Sequence, residues 1–193
     1  MNDENDRLPN SRSISYEWRT PMFQSLYPTE SIDSVYEYDF EKMYSDGYRA
    51  ILFDIDNTLV RHKTDQTPQS MALLNRLRDM GYGVLFISNG SEKRVKSFAD
   101  PIGMKYLYRA NKPSASGYRK AMEMLGSTPE TTLFMGDQLF TDILGANRAK
   151  VHSVLVRPID KKEDLHIVIK RYIERIILAF YRKDCKKKAL KTL

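Results

Sequence analysis

Four short apolar runs constrain this chain more than any other feature: Arg49–Asp54 (RAILFD), Gly83–Ser88 (GVLFIS), Thr131–Met135 (TTLFM) and His152–Val156 (HSVLV). They are continuous rather than alternating, the pattern of strands buried on both faces. Stretches of helical length separate them. One is opened by Pro68 and closed by Gly81, and others cover Glu92–Ala99, Ser114–Leu125 (stopped at Gly126) and Leu139–Ala149. Lys105–Tyr108 reads as a weak fifth strand, and Ser31–Ser45 as a helix ending near Asp46-Gly47. This order predicts an α/β fold: a Rossmann-like, doubly wound, parallel five-stranded sheet that binds ligands at the carboxyl ends of its strands.

Polar residues concentrate where those strands end. Asp54-Ile55-Asp56-Asn57-Thr58 closes the first run. In extended backbone, residues two apart share a face, so two carboxylates converge and need a proton or cation between them. Ser88-Asn89-Gly90 closes the second run, Asn111-Lys112-Pro113 follows the weak strand, and Gly136-Asp137-Gln138-Leu139-Phe140-Thr141-Asp142 follows the third strong run. Taken singly, these are an acidic turn, a helix cap, a surface lysine and an acidic helix start. Together, in one order at successive strand ends, they describe a site.

DIDNT, the serine of SNG, the lysine of NKP and GDQLFTD resemble the four motifs of the haloacid dehalogenase (HAD) superfamily phosphatases, over roughly Leu26 to Pro158. LYPTESI, DIDNTLV, ISNG followed by Arg94, ANKP, GDQLFTDILGANR and LVRPI are similar to the capless IIIA-type group. That group includes the YqeG-type phosphatases and the mitochondrial phosphatidylglycerophosphate phosphatases. Gly90 departs from the group, where SNN is more typical. The resemblance implies that Asp54 is the nucleophile forming an aspartyl phosphate and Asp56 the general acid and base. It implies a Mg²⁺ ion held by Asp54, Asp137 and the Asp56 carbonyl, with Asp142 orienting the metal's waters or Lys112. Lys112 would neutralise phosphoryl charge. Thr58, Ser88 and Asn89 would line the phosphoryl site, and Arg94 would hold a substrate phosphate or headgroup, unless it is an exposed helix arginine.

Spacing bears on the substrate. Twenty-nine residues separate Thr58 from Ser88 and 23 separate Ser88 from Lys112. Each interval is filled by one helix and one strand, and a lid domain takes ~50 residues or more. An open rim suits a phosphate carried on something large: a lipid, a protein or a nucleic-acid end.

Charge sharpens this reading. The chain has 31 Lys plus Arg against 25 Asp plus Glu, a formal +6. Residues 1–50 carry net −5, whereas residues 157–193 carry 12 bases and 5 acids. The end of the chain reads as a basic amphipathic helix and tail, residues 161–193, behind a phosphatase domain over 26–160 and a flexible lead-in over 1–25. Leu165, Val168, Ile169, Tyr172, Ile173, Ile176 and Phe180 form one apolar stripe expected to pack on the sheet. Lys170, Arg171, Arg175 and Arg182 fall largely outside it, and Lys186-Lys187-Lys188 follow.

No uncharged stretch reaches the ~20 residues of a membrane span, the opening MNDENDRLPN has no signal-peptide pattern, and the single Cys185 excludes an internal disulfide. The expectation is a cytoplasmic, monomeric or weakly associated phosphatase, peripheral at the inner membrane face, acting on phosphatidylglycerophosphate. A soluble phosphomonoester or phosphoprotein is the rival substrate. A basic RNA- or ribosome-binding module is the rival class, though no nucleic-acid recognition motif is present.

Overall fold

A computed structural model describes residues 23–160 and 165–189. The bulk of the lead-in expected over 1–25 and the last residues of the basic tail lie outside the described residues. Six parallel strands form one sheet: β1 (Glu30–Ile32), β2 (Ala50–Phe53), β3 (Gly83–Ile87), β4 (Lys105–Leu107), β5 (Thr132–Gly136) and β6 (His152–Val156). Their spatial order is β1-β6-β5-β2-β3-β4. The chain winds outward from β2 through β3 to β4, then returns to β5 and β6 on the other side of β2, which is the doubly wound arrangement.

The helices are α1 (Phe40–Ser45), α2 (Pro68–Asp79), α3 (Glu92–Ala99), α4 (Ala115–Leu125), α5 (Leu144–Arg148) and α6 (Leu165–Ala189). Alternate residues of the central strands feed two cores. Ile51, Phe53, Phe86, Leu133 and Met135 pack with Phe40 of α1, Leu73, Leu74 and Leu77 of α2 and Phe98 of α3. On the opposite face Leu52, Leu85, Ile87 and Phe134 pack with Tyr118 and Ala121 of α4 and Ala146 of α5. Both faces are covered, which explains the unbroken apolar runs.

Two expectations are corrected. The sheet has six strands rather than five, because Glu30–Ile32 pairs in parallel with β6 (Ser31 opposite Leu155) at the edge. The helix expected over Ser31–Ser45 is therefore a strand, a 3₁₀ turn at Val35–Glu37 and the short α1. Asp39 caps that helix by accepting from the Lys42 N–H at 2.8 Å, so the helix cannot begin earlier.

The second correction concerns α6. The described part of the expected apolar stripe does not pack on the sheet: Tyr172 is 68% exposed, and Ile173, Ile176 and Phe180 are 46 to 49% exposed; the side chains of Leu165, Val168 and Ile169 lie outside the described residues. The helix docks instead through Glu174, Ile177 and Leu178, with Ile177 packed against Leu139, Ile143 and Leu155. Tyr181 meets the ring of Tyr27 and Phe180 that of Phe23. At ~100° per residue, the face centred on Glu174, Ile177 and Tyr181 lies roughly opposite the one that carries Tyr172 and Ile176. The reason is electrostatic as well as apolar: Arg171 and Glu174 find buried partners beside β5, and those bonds fix the roll of the helix.

Candidate active site

The site lies where β2 and β5, neighbours in space, end together. Phe53 stands opposite Met135 in register, so Asp54 emerges beside Gly136 and Asp137, and its N–H donates to the Met135 carbonyl at 2.8 Å. This is the point at which the winding direction reverses, the usual ligand crevice of such sheets. Carboxylate oxygens of Asp54, Asp137 and Asp142 all lie within 4.8 Å of one another, and all three residues are buried.

Lys112, also buried, reaches the cluster from the loop before α4. Its ammonium donates to Asp54 Oδ1 and to Asp142 Oδ1, each at 2.6 Å. Asn89 aims it: the Lys112 N–H donates to Asn89 Oδ1 at 2.7 Å and Asn89 Nδ2 donates back to the Lys112 carbonyl at 2.9 Å. Asp142 is fixed at its other oxygen by the Gln138 N–H at 3.0 Å, and the buried Tyr118 hydroxyl donates to its carbonyl at 2.9 Å.

Asp56 stands apart from the buried carboxylates. Its Oδ1 accepts from Arg94 at 2.8 Å and from the Lys63 N–H at 2.7 Å, at the mouth of the site. Arg94 is thus held over Asp56 rather than extended into solvent. Ser88 Oγ accepts from the Gly90 N–H at 3.0 Å. Thr58 Oγ1 is buried and has no hydrogen-bond partner.

Charge describes what the pocket is built for. Burial drives the Asp54 carboxyl up to about 7, against the pull of Lys112 and with the repulsion of Asp142. Burial and then Asp142 raise Asp137 well above the usual carboxylate range, against Arg171. For Lys112, burial opposes the charged form, but the Asp142 and Asp54 carboxylates outweigh it and raise its pKa. Among the described residues, four buried carboxylates (Asp54, Asp137, Asp142 and Glu174) face the two cations Lys112 and Arg171.

Oδ1 of Asp137 is buried and without a hydrogen-bond partner, and the donor set is all oxygen. These residues fit a hard divalent ion such as Mg²⁺. Asp54 and Asp137 would hold it, and Asp142, whose Oδ1 is taken up by Lys112, would orient the site.

The rim is open. From Asp54 to the start of α2 there is only a loop with an isolated bridge between Asp56 and Val60, and the segment from β3 to α4 adds no element outside the sheet's own crossovers. No cap domain covers the site among the described residues.

The structure thus gathers Asp54, Lys112, Asp137 and Asp142, sets Asp56 with Arg94 at the mouth, and uses Asn89 to brace Lys112. Sequence reading gave no role in the site to Arg171, Glu174, Tyr118 or Gly136, although Gly136 opens one of its motifs. The Arg-x-x-Glu spacing on α6, set beside Ile177 and Leu178, is the signal that could have marked the docked face.

Comparison with known proteins places the chain in a family. A family model described as "haloacid dehalogenase-like hydrolase" matches residues 61–150. The chain is 32% identical over 153 residues to "Probable phosphatase YqeG" of Bacillus subtilis (strain 168), an alignment covering 79% of this chain and 89% of that one. It is 26% identical over 181 residues to "Phosphatidylglycerophosphate phosphatase 1, chloroplastic/mitochondrial" of Arabidopsis thaliana, covering 85% of this chain and 49% of that protein. Among solved structures, the cobalt-bound deoxy-D-mannose-octulosonate 8-phosphate phosphatase of Haemophilus influenzae is similar with a TM-score of 0.49 and 13% identity, over 57% of this chain and 69% of that one. With its four strand-end motifs, parallel sheet and buried aspartates, the chain belongs to the haloacid dehalogenase-like hydrolases and is a phosphatase of that family.

Proposed function

We propose that the protein hydrolyses a phosphate monoester through an aspartyl phosphate on Asp54, with phosphatidylglycerophosphate as its substrate at an anionic membrane surface. The observation that carries the chemistry is the Lys112 ammonium shared at 2.6 Å between Asp54 and Asp142. A buried carboxylate nucleophile is held in place there by a cation that can also meet incoming phosphoryl oxygens.

Asp54 attacks phosphorus, the bond to the leaving oxygen breaks, and Asp56 delivers the proton that oxygen needs. Water then attacks the phosphorus of the aspartyl phosphate, Asp56 takes its proton, and inorganic phosphate leaves with Asp54 regenerated. Thr58 Oγ1 donates to a phosphoryl oxygen, a role supported by its being buried without a partner, and Ser88 and the loop after it complete the lining. Arg94 moves between Asp56 and the substrate's anionic group. A bound divalent cation supplies charge neutralisation to the carboxylates and the transferring group.

The lipid substrate is supported by three features. Among the described residues no lid covers the rim. Tyr172, Ile173 and Ile176 lie exposed on the outer face of α6, and at ~100° per residue Arg175, Arg182 and Lys186 flank them. Each basic residue near an anionic bilayer is worth about 1 kcal/mol. The named activity of the Arabidopsis relative points the same way. No described helix is long and apolar enough to cross a membrane, and the membrane contact proposed is a peripheral one.

The test is a substrate panel at fixed Mg²⁺: phosphatidylglycerophosphate in mixed vesicles, sugar phosphates, nucleotides and phosphopeptides. The expected result is a kcat/KM for the lipid at least tenfold above every soluble ester. A preference for a soluble ester would overturn the lipid assignment.

A further inference from the structure

Helix α6 is bonded to the turn after β5 at three points. Arg171 Nη2 pairs with Asp137 Oδ2, Nη1 donates to the Asp137 carbonyl at 2.5 Å, and Nη1 also donates to Glu174 Oε2 at 3.0 Å. Glu174 in turn accepts from the Leu139 N–H through Oε1 at 2.8 Å. One planar guanidinium therefore grips the side chain and the main chain of a single aspartate, which fixes its rotamer as a single contact could not. The oxygen left over, Asp137 Oδ1, is buried and has no hydrogen-bond partner.

We propose that Arg171 is a positioning residue that holds Asp137 with one oxygen presented to a divalent cation, so that α6 is a structural part of the metal site. The proposal rests on reading the Asp54–Asp137–Asp142 cluster as that site. Arg171 does not touch the reacting atoms; it acts through Asp137. Nothing in the strand-end motifs requires it, because it lies 34 residues downstream of its partner.

Two effects of the guanidinium on a neighbouring cation have opposite signs, and that makes the idea testable. As a mere positive charge, Arg171 repels the ion, and its removal tightens binding. As a positioning device it presents the ligand oxygen, and its removal weakens binding.

The experiment is a Mn²⁺ titration of the full chain by calorimetry, comparing wild type, Arg171→Ala and Arg171→Lys, with metal-free unfolding recorded for each variant so that affinity is read on folded protein. Arg171→Ala is expected to weaken Mn²⁺ binding tenfold or more. Arg171→Lys, with one donor direction instead of a fork, is expected to weaken it at least threefold. In activity assays the Mg²⁺ concentration for half-maximal turnover rises by a similar factor, and saturating Mg²⁺ restores most of kcat, a recovery that simple loss of helix packing would not show.

Unchanged or tighter Mn²⁺ binding by Arg171→Ala overturns the proposal. If that variant does not fold, equal affinity in Arg171→Lys and wild type overturns it instead. A wild-type protein that binds Mn²⁺ yet does not turn over the lipid leaves the positioning role standing and removes only the substrate assignment.

Discussion

Gly136 and Asp142 approach so closely that a Cβ on the glycine would lie 2.7 Å from the Asp142 carboxylate. The last residue of β5 has no side chain because the carboxylate that receives Lys112 occupies that space. Gly136→Ala must push Asp142 away, and Lys112 with it. The expected outcome is a loss of about 1–3 kcal/mol in stability, the usual cost of overpacking, together with a fall in kcat well beyond what that destabilisation explains. Denaturant unfolding and steady-state kinetics on one preparation check both.

Asp54→Asn keeps the size of the side chain but removes the nucleophile. Turnover should fall by on the order of 10³-fold or more, with no phosphoenzyme trapped by acid quench from a radiolabelled substrate. Asp56→Asn should still form some phosphoenzyme from substrates with good leaving groups, because attack does not need the Asp56 proton when the leaving oxygen is already a weak base. Retained turnover in Asp54→Asn would rule out the covalent route.

Lys112 is a buried cation between two buried carboxylates, so removing it leaves uncompensated negative charge. Lys112→Ala should destabilise the metal-free protein by about 3–5 kcal/mol, as expected for breaking a buried pair from one side. Added Mg²⁺ should recover part of that loss. A midpoint equal to wild type in EDTA would mean that the lysine does not balance the carboxylates.

The metal-free protein should lose stability as pH rises. Asp54 titrates near 7 in the folded chain and near 3.8 when unfolded, and Asp137 and Glu174 are raised as well. Across that interval the folded state binds more protons than the unfolded one, so the slope of stability against pH is negative. Thermal unfolding in EDTA should give a midpoint that falls from about pH 4 to pH 7. Asp54→Asn should flatten part of the slope, and saturating Mg²⁺ should raise the midpoint at the upper end. A midpoint that rises through this interval would contradict the upward shift that burial gives these carboxyls.

The outer face of α6 makes its own prediction. Replacing Tyr172, Ile173 and Ile176 by serine removes exposed apolar surface and leaves the docked Ile177 and the Phe180–Phe23 contact in place. Binding to anionic vesicles should fall by tenfold or more while hydrolysis of p-nitrophenyl phosphate stays within about twofold. Sedimentation with vesicles at low and high salt reads the first, since attraction of the basic residues is screened by salt. Equal sedimentation of variant and parent would remove this face from membrane contact.

What the sequence determined by itself was the sheet and the chemistry at its rim. Ile51, Leu52 and Phe53 must be buried on both sides wherever they are placed, which demands a covered parallel strand, and Asp54 then has to stand at its end. The same logic holds for Ser88 after β3 and Asp137 after β5, because strand ends are fixed by local pattern.

Tertiary structure decided the parts that depend on partners distant in the chain. Glu30–Ile32 is too short and too polar to declare itself a strand, and becomes one only because β6 offers an unpaired edge. The roll of α6 was beyond its own periodicity: two apolar faces compete, and Tyr172 with Ile176 forms the more obvious one. Arg171 and Glu174 choose the other face because the main chain and carboxylate after β5 need buried partners. A helix read alone cannot know which orphaned groups await it across the fold.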